Sequence, residues 1–259
     1  MKILNHYILL RDFIPPIMLP CLRKIKSHIN HISPNSSDLT IKSFVSPVLG
    51  SYSQFNEDLI IDLLFALKEN GYYLDIGAND PSFVSNTKRF YDRGWSGINI
   101  EPGKESFEKL CSNRSRDINL NVGLGPAKST STFYQVIGDS RLSSFDKKIA
   151  YRMATRLRLP VSEIQIEVLR LVDVFEYYIK DKHVDFMSVD AEGLDLEILQ
   201  SNDWERFRPT LIIVEIDNQY HRIVEFMNSC KYMLIYNNAH NGIFIDERTP
   251  DGLSIIVNN

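Results

Sequence analysis

The chain has few cysteines, and they are scattered. Cys21, Cys111 and Cys230 form no CxxC pair. That excludes a disulfide framework and a zinc-ribbon type of site, and makes a reducing cytoplasm the expected compartment. There is no basic surplus either. Lys and Arg number 29 against 33 Asp and Glu, a formal net charge of −4. A nucleic-acid partner is not expected from such a balance. Long apolar runs are also missing. Met1–Lys26 is broken by Arg11–Asp12, by Pro15–Pro16 and by Pro20, well short of the roughly 18 apolar residues that span a bilayer. It has no continuous apolar stretch with a small-residue cleavage site, so it does not read as a signal peptide. Glycine is scarce where a dinucleotide would need it. Gly77 is the one glycine between Tyr72 and Arg89, so the turn G-x-G-x-x-G is absent, as is the phosphate loop GxxxxGK[ST].

What is present is an ordinary globular composition, 44% apolar and 24% charged. Residues 1–50 are expected to form an N-terminal extension, helical in its first part, and a Ser-, Asn- and Pro-rich linker. The extension reads either as a membrane-interface segment, with Arg23, Lys24 and Lys26 toward headgroups, or as an arm that docks on a second copy in a homodimer. Residues 51–259 read as one α/β domain.

The pattern within that domain alternates. A helix is predicted over Asn56–Leu67, followed by strand Tyr72–Ile76, helix Ser82–Arg93, strand Ser96–Ile100, helix Lys104–Asn113 and strand Ile118–Val122. An excursion follows, with strand Thr130–Val136, basic helix Phe145–Leu159, extended Ile164–Leu169 and short helix Val172–Ile179. The alternation then resumes with strand Val184–Val189, helix Leu194–Asn202, strand Thr210–Ile216 and helix Gln219–Ser229. Tyr232–Tyr236, Gly242–Ile245 and Ser254–Val257 read as closing strands. Strands alternating with helices predict βαβ units and a mostly parallel sheet.

Chemistry is expected first at Asp75-Ile76-Gly77-Ala78-Asn79, a turn between strand and helix. Gly77 has no Cβ, which lets backbone approach a ligand. Amides at the following helix start favour a carboxylate. Asp75 can accept from an ammonium. Glu101 ends the next strand 24 residues after Gly77, where an acid can bridge two ribose hydroxyls. Pro102 breaks that strand. Asn121 and Val122 end the third strand, where an adenine edge would lie. A ligand with an amino-acid headgroup and a nucleoside satisfies all of these, and S-adenosylmethionine carries both. The bland alternatives are a tight-turn glycine and a solvated helix-start acid.

The second half of the site is expected after Val184–Val189 and Thr210–Ile216. Asp190, Glu192, Glu215, Asp217 and Asn218 follow those strands and face the same crevice as Gly77. Asp190, Glu192 or Glu215 is a candidate general base. Asp190 is also a candidate cofactor contact, and with Asp217 and Asn218 a candidate set for a divalent cation. Helix capping is the alternative for Glu192 and Asp217. His240, in the loop NNAHNG, is a further candidate base if that loop overhangs the crevice. His183 precedes its strand and belongs to the other end. Arg141, Arg152, Arg156 and Arg158 suit a phosphorylated or nucleotide-linked acceptor, or simply a solvated basic face.

The segments SQFNEDL (Ser53–Leu59), YYLDIGANDP (Tyr72–Pro81), INIEP (Ile98–Pro102), NVGLG (Asn121–Gly125), VDFMSVDAEGLDLEIL (Val184–Leu199) and IIVEI (Ile212–Ile216) together resemble the FkbM family of methyltransferases. The resemblance runs from about Ser51 to Ile216. It implies a Rossmann-like class I methyltransferase, a seven-stranded, mostly parallel sheet with an antiparallel strand near its C-terminal end. It also implies an S-adenosylmethionine site at Asp75, Gly77, Asn79 and Glu101, with Gln54 reaching the cofactor. One position departs from the family, which commonly has glycine where this chain has Pro81. Such enzymes mostly methylate hydroxyls of sugars or polyketide-like molecules, and the extension RDFIPP…LRKIK resembles those in bacterial surface-polysaccharide pathways. The expected activity is therefore O-methylation of a sugar or sugar nucleotide, in the cytoplasm or peripherally at the inner face of the membrane. The rival expectations are a nucleotide-binding sugar oxidoreductase and a non-catalytic subunit of the same fold.

Overall fold

The computed structural model describes residues 50–65, 68–217 and 219–248. The extension and linker up to residue 49, Asn218 and the expected strand Ser254–Val257 lie outside the described residues.

Helix α1 (Glu57–Leu64) leads into strand β1 (Tyr72–Ile76), α2 (Lys88–Arg93), β2 (Ser96–Ile100), α3 (Lys104–Asn113) and β3 (Ile118–Leu120). The excursion comprises β4 (Gly123–Leu124), β5 (Ser129–Val136), α4 (Lys147–Leu157), β6 (Val161–Leu169) and α5 (Leu171–Val174), which runs on into a wider π turn, Phe175–Ile179. Then follow β7 (Phe186–Val189), α6 (Asp195–Gln200), β8 (Leu211–Glu215), α7 (Tyr220–Ser229), β9 (Tyr232–Asn237) and β10 (Asn241–Asp246).

Seven strands form one sheet in the order β3-β2-β1-β7-β8-β10-β9. The neighbours from β3 to β8 are parallel, and β10 runs antiparallel to both β8 and β9. This is the Rossmann-like class I methyltransferase sheet. β4, β6 and β5 make a separate three-stranded sheet. Chain order reverses between β1 and β7, so a crevice opens at their carboxyl ends.

β1, β7 and the first four residues of β8 are buried throughout, as strands covered on both faces should be. Alternate residues feed two cores. Leu74, Ile98, Met187, Ile212 and Phe244 face one side. Tyr73, Phe90, Trp95, Phe186 and Ile213 face the other. The Phe186 ring lies 4.7 Å from Phe90 and 6.0 Å from Trp95, and the Trp95 indole N–H donates to the Lys68 carbonyl at 3.0 Å.

Two boundaries near the site differ from expectation. The helix after β1 begins at Lys88 rather than Ser82. Asp80 accepts from the amides of Ser82 and Phe83, both at 2.9 Å, which draws the chain into a turn. Val84 follows at φ 54°, which no helix admits. The third strand stops at Leu120, because the Asn121 side chain turns onto the carbonyls of Glu101 and Pro102 at 2.9 and 3.0 Å. Gly123–Leu124 then leaves to pair with β6.

Candidate active site

The floor of the crevice is the turn after β1. Gly77 has φ 76°, and a Cβ there would stand 1.9 Å from the carbonyl oxygen of Asp190. Glycine is therefore required for β1 and β7 to approach at their ends, whatever ligand lies above. The amides of Gly77 and Ala78 donate to the Ile100 carbonyl at 3.0 and 3.1 Å, which ties the turn to β2. Asp75 is buried and accepts from the Thr87 hydroxyl at 2.6 Å. Burial pushes its carboxyl up to about 6, against the Thr87 hydrogen bond and the Arg114 charge.

Glu101 sits one strand away, also buried. One carboxylate oxygen accepts from the Asn79 amide at 2.9 Å and the other from the Gly103 amide at 2.7 Å. Burial raises it to about 7, opposed by those two amides. A carboxylate has about four acceptor positions, so each oxygen keeps capacity for a hydroxyl. Asn79 has φ 47°, and its side-chain oxygen accepts from Ser106 at 3.1 Å and Ser140 at 2.6 Å. The loop between β5 and α4 thereby touches the turn. Asn121 uses its amide to brace the backbone beneath Glu101 and Pro102, and Val122 is buried.

Acids line the crevice beyond β7 and β8. Asp190 is exposed beyond the end of β7 and shares a hydrogen bond with Glu215. Both are raised, first by burial and then by neighbouring acids. Glu192, at φ 51° and exposed at the rim, is raised to about 7 by desolvation from the protein around it, with Asp195 and Asp217 adding to it. Asp195 accepts from the amides of Ala191 and Gly193 at 2.9 and 3.1 Å, so it shapes the turn that presents Glu192. Carboxylates this close resist full ionisation and attract a cation.

The overhanging loop holds His240. Its carbonyl accepts from the Ile216 amide at 2.7 Å, which places it at the carboxyl end of β8. Its Nδ1 lies 2.8 Å from Asp217, and its ring stacks on Phe55 with centroids 4.7 Å apart. Glu57 fixes the arrangement. It is fully buried, and one oxygen accepts from Asn238 at 2.7 Å and Asn241 at 2.8 Å. The other accepts from the Phe55 amide at 2.9 Å. Asp58 is equally buried and gathers Ser51, Ser53 and the Tyr52 amide. The segment SQFNEDL is thus a clamp on the rim. Gln54, exposed at its bend, lies beside Phe55.

Most of the residues singled out from sequence meet here: Asp75, Gly77, Ala78, Asn79, Glu101, Asp190, Glu192, Glu215, Asp217 and His240. The divalent-cation expectation finds no support. Among the described residues no group of three or more His, Cys, Asp or Glu is placed to hold a metal ion. Asp217 turns to His240 instead, and Asn218 lies outside the described residues. His183 bonds Thr210 at 2.8 Å, ahead of β7 and β8, away from the crevice. Arg141 is paired with Asp139, while Arg152, Arg156 and Arg158 are exposed. Glu57, Asp58 and Arg114 are structural contributors that no periodicity marks. A pair of adjacent acids at a helix start with serines before it was the available signal for the first two.

The residues fit S-adenosylmethionine. Asp75 suits its ammonium, Glu101 its ribose hydroxyls, and the acids beyond β7 suit a sulfonium. Among the described residues no helix is long and apolar enough to cross a membrane.

The chain is similar to known proteins in sequence and in fold. The model of the methyltransferase FkbM domain matches residues 75–234. Methyltransferase sdnD of Sordaria araneosa is 28% identical over 178 residues, 56% of this chain and 67% of that protein. Among solved structures, a methyltransferase FkbM from Methylobacillus flagellatus KT aligns over 81% of this chain with a TM-score of 0.44 and 13% identity. This chain spans only 55% of that one. An O-methyltransferase from Bacillus cereus in complex with SAH aligns over 83% of this chain and 92% of its own, with a TM-score of 0.43 and 14% identity. A family model that covers most of the chain, over the strands and the turn just described, identifies it as an S-adenosylmethionine-dependent methyltransferase that belongs to the FkbM family.

Proposed function

We propose that the enzyme methylates a hydroxyl oxygen, and that the acceptor is a sugar or nucleotide-linked sugar of a bacterial surface-polysaccharide pathway. The observation that carries the reading is the Asp217–His240 pair at the rim, with 2.8 Å between Oδ1 and Nδ1. A hydroxyl is a poor nucleophile until a base takes its proton. A carboxylate only accepts, so the neutral ring keeps its proton on Nδ1 and offers Nε2 as the base. Stacking on Phe55 fixes the ring plane. Glu192 and Asp217 line the same rim and can accept from neighbouring hydroxyls of a polyol.

S-adenosylmethionine supplies an electrophilic methyl group on sulfonium. The chain's own residues hold its two ends through Asp75 and Glu101, and position the acceptor oxygen against it. The proton leaves toward His240 and, through it, toward the acid cluster. The extension over residues 1–50 would keep the enzyme against the inner membrane face, where such acceptors are assembled, or join two copies.

Incubation with labelled methyl donor and a panel of nucleotide sugars tests this. Label on a sugar oxygen is expected. Label appearing only on amines or carboxylates would overturn it.

A further inference from the structure

Arg114 caps the C-terminal end of α3 and is 1% exposed. Buried guanidinium groups are normally paired with a carboxylate. Among the described residues none stands within ion-pair distance of this one. Four of its five N–H groups instead donate to neutral oxygens. Nε and Nη2 donate to the Pro81 carbonyl at 2.9 and 2.7 Å. Nη2 also donates to the Ser85 hydroxyl at 3.1 Å, and Nη1 to the Tyr73 hydroxyl at 3.2 Å. The guanidinium lies over the Tyr91 ring, 4.7 Å from its centroid.

Following these bonds leads to the donor site. Ser85 also accepts from the Lys88 amide at 3.2 Å, so its own proton points to Thr87, 3.3 Å away. Thr87 donates to Asp75 at 2.6 Å. The result is a directed chain, Arg114 to Ser85 to Thr87 to Asp75, in which each donor polarises the next. On the other side, Tyr73 donates to Asp117 at 2.5 Å, and Asp117 accepts from the Gly97 amide and from Asn99.

We propose that Arg114 is a positioning residue for the methyl donor: it fixes the Asp75 carboxylate through Ser85 and Thr87, and holds the loop after β1 by the Pro81 carbonyl. The proposal rests on the donor site described above. The charged groups that face Asp75 are Arg114 from the end of α3, Asp117 before β3, Glu101 after β2 and Asp190 after β7. Three are acids, and Arg114 is the cation that favours the ionised form.

Titration calorimetry with S-adenosylhomocysteine from pH 6 to 8.5 tests it, with thermal melting beside it. Wild-type protein that fails to bind would overturn the donor site itself, independently of Arg114. Given binding, Arg114→Met should lose about tenfold in affinity at pH 7, more toward pH 6, because Asp75 then holds its proton to higher pH. Arg114→Lys should recover the pH profile but not the full affinity, since an ammonium keeps the charge without the planar fork. A cooperatively melting Arg114→Met with wild-type affinity at every pH overturns the proposal. If Arg114→Met does not fold, Thr87→Val decides, because it cuts the chain at Asp75 and leaves Arg114 in place. Unchanged affinity and pH profile there overturn the proposal equally.

Discussion

The ring of His240 lies flat on the ring of Phe55, 5° from parallel. These residues belong to opposite ends of the described chain, and Glu57 bonds both segments at once through Phe55, Asn238 and Asn241. The rim is therefore one unit, assembled from the segment before α1 and the loop between β9 and β10.

Glu57→Ala should loosen that unit. It leaves two asparagine amides and one backbone amide without their acceptor, a cost of about 2–4 kcal/mol for a buried charged acceptor with several bonds. A fall in melting temperature is expected, with a larger fall in kcat than in donor affinity. Equal losses in both would contradict the rim assignment.

His240→Gln should lower kcat by roughly 10²–10⁴, the usual contribution of a positioned base. Asp217→Asn should lower it too, through loss of the partner that sets the tautomer. Methyl transfer by the His240→Gln protein at the wild-type rate would exclude the histidine as base.

Gly77→Ala should fail more severely than a turn substitution normally does. The added Cβ meets the Asp190 carbonyl, and the left-handed conformation alone costs about 1 kcal/mol. A destabilisation of several kcal/mol is expected by denaturant titration. A neutral outcome would show that the two strand ends can separate.

S-adenosylmethionine carries one positive charge more than S-adenosylhomocysteine. The crevice acids should therefore favour donor over product at pH 8. Desolvation holds Glu101 and Glu192 near 7, so that preference should shrink as pH falls to 6 and both take up protons. Calorimetry with the two compounds at both pH values measures the ratio. A constant ratio would separate the acids from sulfonium recognition.

The same acids set the stability of the unliganded protein. Asp75, Glu101, Glu192 and Asp195 are all raised in the folded state, to between about 6 and 7. A raised carboxyl stabilises the fold when protonated, and that contribution disappears as pH rises through the folded value. The unliganded protein should therefore melt higher near pH 5.5 than at pH 8. For buried Asp75 most of that loss is complete below pH 5.5, and the remainder between pH 5.5 and 8 is about 1 kcal/mol. A melting temperature that rises steadily from pH 5.5 to 8 would contradict it.

Much of this site could be read from residue order. A buried parallel strand is a continuous apolar run, so YYLDI and LIIVE announced themselves, and with them the acids at their ends. The spacing from Gly77 to Glu101 pointed to the two ends of the proposed donor site. Local signals failed where partners are distant. Glu57 and Asp58 read as ordinary helix-start acids, yet Glu57 meets Asn241 across 184 positions. Ser82–Thr87 carried enough apolar residues to read as helix, while Asp80 and Val84 held it open. Arg114 gave no sign at all, because a lone arginine after a helix is normally solvated. Pro81 replaces the family's glycine, and what it contributes is a backbone carbonyl that any residue could offer.

The antiparallel β10 lies between β8 and β9, although it follows both in the chain. It must slot between two partners already made, and its leading loop carries His240 to the rim. A nascent chain released up to β9 could hold the whole donor site and still be unable to deprotonate an acceptor. The enzyme's activity would then switch on in one step, with the docking of a single strand.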